Sequence, residues 1–336
     1  MTVSGAHLVG SVPLPDAEAV FITVAPALGA HLKRIPDGET GIRSNWIQWQ
    51  YDVLAAAREL RPATDGAPGR PPPLTLSGDT LQLPVLGYAE AARTAFAHFD
   101  RLQRDGTIPA HCRFQVCVPT PLAPVNFYVA EADRARVEPV YEARLMEEVA
   151  ALCSAIPHER LAVQWDTAVE FGVLEGVFPS HLGTPEVDIV TRLLRLGNAI
   201  PQSVELGYHL CYGDAGHKHF TEPRDTGKLV AVANAVLAGL SRSVGWIHLP
   251  VPRDRDDDGY FEPLRGLELT PQTELYLGLL HMTDGFAGAQ RRIAAARRHV
   301  ESFGVATECG FGRRPEQTVR PLLELHSRVL EACAAG

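Results

Sequence analysis

A chain of 336 residues with 46% hydrophobic and 21% charged side chains has the balance of an ordinary globular protein and can build one large core. Its formal net charge of −9 argues against nucleic acid and against an anionic membrane surface as partners. No apolar run approaches the roughly 20 residues of a bilayer span, the N-terminal MTVSGAHLVGSV lacks the segments of a signal peptide, and six cysteines are too few for a disulfide framework, so a reduced, cytoplasmic protein is expected.

Short β-branched runs alternate with longer amphipathic stretches, the pattern of a parallel sheet wrapped by helices. In chain order the strands are expected at 7–12, 31–36, 113–119, 161–168, 203–211, 245–251, 273–282 and 304–310. Helices are expected at 139–155, 186–199, 227–240 and 287–302, with a closing helix over 315–334. Eight strands suit a single α/β domain over 1–336, a (β/α)8 barrel of TIM type. The alternation breaks near 52–112, where the Pro/Gly-rich stretch at 61–88 cannot continue a helix; it fits a linker, but its short strand-like pieces point to an inserted hairpin or lid. The arginines of 287–302 are expected on a solvated helix face.

In a parallel barrel the strand C-termini and the loops after them build the site. Ser11, Glu39, Asn126, Asp166, His209, Cys211, His248, His281 and Cys309 all fall there. On a strand, residues two apart share a face, so His209-Leu210-Cys211 presents imidazole and thiol together. A histidine packed beside a buried cysteine would give the same pattern. Cys309, before Gly310-Phe311-Gly312 at the end of the last strand, returns close to the first strand and adds a third candidate ligand. Three such ligands with one open position are the common form of a catalytic zinc site.

Other features are weaker. His217 and His219 follow the H-x-C strand and fit either a substrate entrance or a plain polar loop. Asp254, Asp256, Asp258 and Gly259 begin a calcium-loop pattern, but its twelfth position is Arg265, so calcium binding is not expected. Arg43, Trp46 and Trp49 fit substrate recognition or, equally, helix packing.

Together the motifs resemble, in order, those of the catalytic C-terminal barrel of cobalamin-independent methionine synthase, within the superfamily that also holds uroporphyrinogen decarboxylase. The resemblance spans about residues 7–325. Val9-Gly10-Ser11-Val12-Pro13 is similar to the family's I-G-S-F-P, Asp37-Gly38-Glu39 to its G-E segment, and Gln164-Trp165-Asp166 to Q-x-D-E-P. His209-Leu210-Cys211-Tyr212 is similar to H-M-C-Y, Leu280-His281 to D-I-H, and Glu308-Cys309-Gly310 to D-C-G-L.

The resemblance implies a Zn2+-dependent enzyme moving a methyl or small alkyl group onto a thiol such as homocysteine. His209, Cys211 and Cys309 would bind the zinc, while Ser11, Glu39 and Asp166 would hold the amino-acid part of the substrate. His281 would protonate the leaving group, with Asp166 as a second catalytic candidate, and Asn126 joins the substrate-binding candidates as a strand-end residue. The chain departs from the family at the fourth zinc ligand, a glutamate, where Trp246-Ile247-His248-Leu249-Pro250 offers His248 as ligand, as a residue behind the ligands, or as core. The synthase's N-terminal half is not expected, and its aromatic platform for the folate donor has no clear match in 119–128. The donor therefore stays open between a folate, a corrinoid, a corrinoid-bearing protein and a small methylated compound. An alternative is a zinc hydrolase or lyase with water in the open position, which His248 and His281 would suit; a site used for binding alone is a third reading.

Overall fold

The computed structural model describes residues 2–64, 71–214, 216 and 218–335. Its frame is eight parallel strands: β1 (Thr2–Ala6), β2 (Arg34–Pro36), β3 (Arg113–Pro119), β4 (Leu161–Thr167), β5 (Glu205–Leu210), β6 (Trp246–Pro250), β7 (Glu274–Leu280) and β8 (Ser302–Thr307). Their order is β1-β8-β7-β6-β5-β4-β3-β2, and a parallel bridge from Ala6 to Leu32 brings the two ends of the sheet together. Beyond their first residues β2 to β8 are buried, as strands covered on both faces must be, whereas β1 is buried only at Ala6 and exposes Ser4. Seven longer helices wrap them: α1 (Ala17–Leu28), α2 (Tyr88–Arg104), α3 (Arg134–Ala155), α4 (Pro185–Ala199), α5 (Gly227–Gly239), α6 (Gly285–Ala296) and α7 (Val319–Ala335). This is the expected α/β barrel of TIM type. Among the described residues no helix is long and apolar enough to cross a membrane.

Register decides what meets at the mouth. Asp166 on β4 pairs with His209 on β5, which pairs with His248 on β6, so three ionisable side chains stand in one row across the strand ends.

Two strand expectations shift toward the N-terminus. The first strand is Thr2–Ala6 rather than 7–12: His7 N still donates to Val305 O at 3.0 Å, but the Leu8 and Val9 carbonyls both accept from Gln115 Nε2 at 3.1 Å instead of from a neighbouring strand. The last strand ends at Thr307, so Ser11 and Cys309 both lie in loops beyond their strands. The helix expected over 287–302 stops at Ala296. Its arginines are also not all solvated. Arg292 is fully buried, and its guanidinium is spent on Asp284, Leu279 O and Arg253 O. Arg291 and Arg298 do lie outside, paired with Asp256 and Asp258, which engages two carboxylates of the calcium-like run.

The Pro/Gly-rich excursion forms a hairpin, Leu60–Pro62 against Leu74–Leu76, with 65–70 outside the described residues. It is pinned by polar contacts to neighbouring segments. Tyr51 donates to Pro72 O at 3.0 Å and Ala130 N to Leu74 O at 2.8 Å. Further along, buried Glu148 of α3 accepts from Leu86 N and Ala89 N.

Candidate functional site

His209, at the end of β5, and Cys211, just beyond it, meet Cys309 from the loop after β8. Their ligand atoms all lie within 4.8 Å of one another. Backbone contacts hold the group together. Cys211 N donates to Thr167 O at 2.8 Å, extending the ladder past the strand end, and the Cys211 sulfur accepts from Gly213 N at 3.2 Å. On the other side, Phe311 N donates to Ser11 O at 2.7 Å and Gly312 N to Ser11 Oγ at 3.1 Å, stitching the loop after β8 to the loop after β1. Gly310 is required here, because a Cβ would stand 2.2 Å from Ser11 Oγ.

The protonation of this group follows from its partners. Fully buried His248 places Nε2 3.0 Å from Thr307 O, and a carbonyl only accepts, so Nε2 carries the proton. Burial holds the His248 pKa down at about 3, so the ring is neutral and its Nδ1 is a lone pair. His209 Nδ1 lies 2.7 Å from that lone pair and must donate to it. What remains is His209 Nε2, a buried lone pair with no hydrogen-bond partner among the described residues. Burial, then the neighbouring His248, keeps His209 neutral as well. An orphaned imidazole lone pair beside two thiols is costly in itself and fits a metal ion. The Cys211 thiol, then burial, pushes Cys309 up, since two adjacent sulfurs resist sharing negative charge until a cation lies between them. The donor set therefore suits zinc; both His248 nitrogens are engaged here, one with His209 and one with Thr307 O, which puts His248 behind His209 and outside the converging group of ligand atoms.

A second group lies alongside. Glu39, Asp166 and Cys117 also bring their ligand atoms within 4.8 Å of one another. Asp37 builds the loop that presents Glu39, accepting from Glu39 N at 2.9 Å and from Arg43 Nη2 at 2.6 Å. Gly10 opposite leaves room for the carboxylate, since a Cβ there would stand 2.6 Å from Glu39 Oε1. Asp166 accepts from Gln164 Nε2 at 2.8 Å. Burial, then the repulsion of Asp166, raises Glu39 to about 8, and burial raises Asp166 to about 7. Two carboxyls so placed favour a cationic group, such as an ammonium, between or beside them.

Both groups open into one cavity of about 380 Å3, whose lining includes Ser11, Glu39, Asp166, His209, Cys211 and Cys309. Part of its remaining wall is aromatic. Trp46 meets Phe127 edge-on at 6.2 Å, Phe127 meets Phe178 at 5.5 Å, and Phe178 meets Phe220 at 4.7 Å. The segment 119–128 supplies only Phe127 and Tyr128 of this wall, and the other rings come from distant loops, which is why no platform was legible there.

Three expected site residues do not line the cavity. Asn126 does not line the cavity; its Oδ1 accepts from Arg134 at 3.0 Å. His281 does not line it either: Nε2 bonds Val251 O at 2.9 Å and Nδ1 lies 3.6 Å from Glu308 Oε1. His248 is the third. Of the loop histidines, His219 pairs with Glu222 and Glu308, and His217 lies outside the described residues. Trp46 lines the cavity, whereas Arg43 is bound to Asp37 and Trp49 packs on Tyr88 at 4.9 Å. Arg313, which no motif pointed to, lines the cavity.

Fold and site thus define an α/β barrel with a candidate metal centre at the mouth formed by its strand C-termini. No protein-family model and no curated protein matches the chain. Among solved structures, it is similar to a B12-independent methionine synthase from Shewanella sp. W3-18-1 in complex with selenomethionine, at 15% identity and a TM-score of 0.66, over 100% of this chain and 98% of that one. It is also similar to a protein from Listeria monocytogenes described as a vitamin-B12 independent methionine synthase, at 13% identity and a TM-score of 0.60, over 99% of each chain. At these identities the likeness establishes the fold, along the full chain.

Proposed function

We propose that this protein is an enzyme that transfers a methyl or small alkyl group to the thiol of an amino acid such as homocysteine, at a zinc ion held by His209, Cys211 and Cys309. One observation carries the reading: a neutral imidazole lone pair and two thiols converge within 4.8 Å of one another, in the same cavity as a buried carboxyl pair. Zinc, when bound, supplies the charge that keeps a coordinating thiol deprotonated near neutral pH.

The chain's own groups do the rest. Glu39 and Asp166 face the substrate's ammonium group. Ser11 Oγ, already accepting from Gly312 N, keeps its hydroxyl proton to donate to a substrate oxygen. The aromatic wall covers the donor's flat body and keeps water from the reacting atoms. In the transfer, a sulfur–carbon bond forms as the donor's bond to the methyl carbon breaks, and that bond's electrons stay with the leaving group. A cavity of this size takes an amino acid with a small flat donor such as the reactive end of a folate; a corrinoid or a donor protein would present its methyl group at the mouth. The Shewanella protein's complex with selenomethionine, the selenium analogue of the product expected here, points the same way. The hydrolase or lyase reading leaned on His248 and His281, and neither lines the cavity.

X-ray absorption at the zinc edge tests the proposal. Adding homocysteine is expected to bring one more sulfur into the coordination shell. A spectrum unchanged across a panel of thiols would contradict thiol chemistry.

A further inference from the structure

Among the described residues, three that are not glycine have a left-handed backbone: Glu39 with φ 48°, Trp46 with φ 50° and Arg313 with φ 66°. Side chains with a Cβ occupy that region at a cost, and such residues gather where a ligand is clamped. All three line the same cavity. One is an anion, one an aromatic ring and one a cation.

Arg313 is held in a fixed pose. Its Nε and Nη2 donate to Asp214 O at 3.2 and 2.9 Å, and Nη2 also reaches Asp214 Oδ2 at 3.3 Å. Nη1 donates to no protein group among the described residues, which leaves one edge of the guanidinium open. The charge lies within electrostatic reach of both Glu39, of the carboxyl pair, and Cys309, of the candidate metal centre. An anchored guanidinium with an open edge suits a carboxylate, whose planar oxygens match its N–H directions.

We infer that Arg313 binds the α-carboxylate of the thiol substrate and so selects amino-acid thiols over thiols that lack a carboxylate. The inference rests on the thiol-transfer reading above. It completes a three-point recognition: thiol at the metal centre, ammonium at Glu39 and Asp166, carboxylate at Arg313. A charge-assisted hydrogen bond of this kind changes affinity by about ten- to a hundred-fold.

The test compares binding of homocysteine and of 3-aminopropane-1-thiol, its decarboxylated analogue, to the zinc-loaded full chain. Wild type is expected to prefer homocysteine by about ten-fold or more, and Arg313→Gln to bind the two about equally. Arg313→Lys keeps the charge but loses the fork, so it should give an intermediate ratio. Wild type that binds both alike, or a preference that persists undiminished in Arg313→Gln, would overturn the inference while leaving thiol binding intact. The wild-type comparison decides even where a variant does not fold. If neither thiol alters the zinc spectrum, the underlying reading fails, and the inference with it.

Discussion

At the scale of the residue, the chemistry turns on a proton that His248 places. Thr307 O takes the His248 Nε2 proton, His248 Nδ1 takes the His209 proton, and the His209 lone pair is left where the two thiols converge. Residues behind metal ligands commonly tune affinity by about ten- to a hundred-fold. His248→Ala is therefore expected to weaken zinc binding by about that factor, read by chelator competition; unchanged affinity would make His248 mere packing. Much of this site was legible in the chain, because an H-x-C pair on a strand and a cysteine before a glycine-rich turn carry their geometry in their spacing. The role of His248 was not, since nothing near it in sequence shows which carbonyl its far nitrogen meets. Arg313 was invisible for a related reason: neither its left-handed backbone nor its anchor, 99 residues away at Asp214, leaves a local pattern.

At the scale of the element, apolar periodicity exposed the helices and strands, while their ends depended on distant partners. HLVGSV reads as a strand, yet its carbonyls turn to the Gln115 side chain. Arg292 reads as surface, yet two backbone carbonyls and Asp284 draw it inward. A similar long-range pairing ties α3 to α4. Glu138 of α3 is buried and accepts from Arg192 Nε at 2.7 Å and Nη2 at 2.9 Å, with His181 Nε2 at 2.6 Å. Burial works to raise its pKa, but the hydrogen bonds from His181 and Arg192 overcome this and set it at about 2, below the ordinary 4.5. A depressed carboxyl stabilises the fold above its unfolded value, so this contribution is full near neutrality and is lost as pH falls from 4.5 toward 2. Glu138→Gln should cost about 2 kcal/mol at pH 7 by urea unfolding, because Arg192 and His181 lose their anion. The difference from wild type should shrink in acid. A pH-independent difference would mean that packing, not charge, links the two helices.

At the scale of the whole molecule, the barrel separates holding together from acting. Its N-terminal end carries buried Arg34, which bonds Glu205 and Glu274 from β5 and β7 and lies 4.1 Å over the Trp246 ring. The mouth at the other end carries the candidate metal centre and the cavity. Arg34→Met should therefore destabilise the fold by about 2 kcal/mol, since Glu205 and Glu274 lose their buried partner and are left with Arg113 and Lys33, and leave the zinc content of the folded protein unchanged. Loss of zinc from the still-folded variant would show that the two ends are coupled. The eight-strand frame itself could be read from alternation along the chain, whereas closure through Ala6 and Leu32, and the aromatic wall gathered from four separate segments, exist only once the barrel forms. The central claim is that His209, Cys211 and Cys309 hold zinc. Metal analysis of the purified protein tests it most directly. One zinc per chain in wild type, with most of it lost in Cys211→Ser and in Cys309→Ser, is the predicted result; a zinc-free wild type, or serine variants that keep their full metal content, would contradict it.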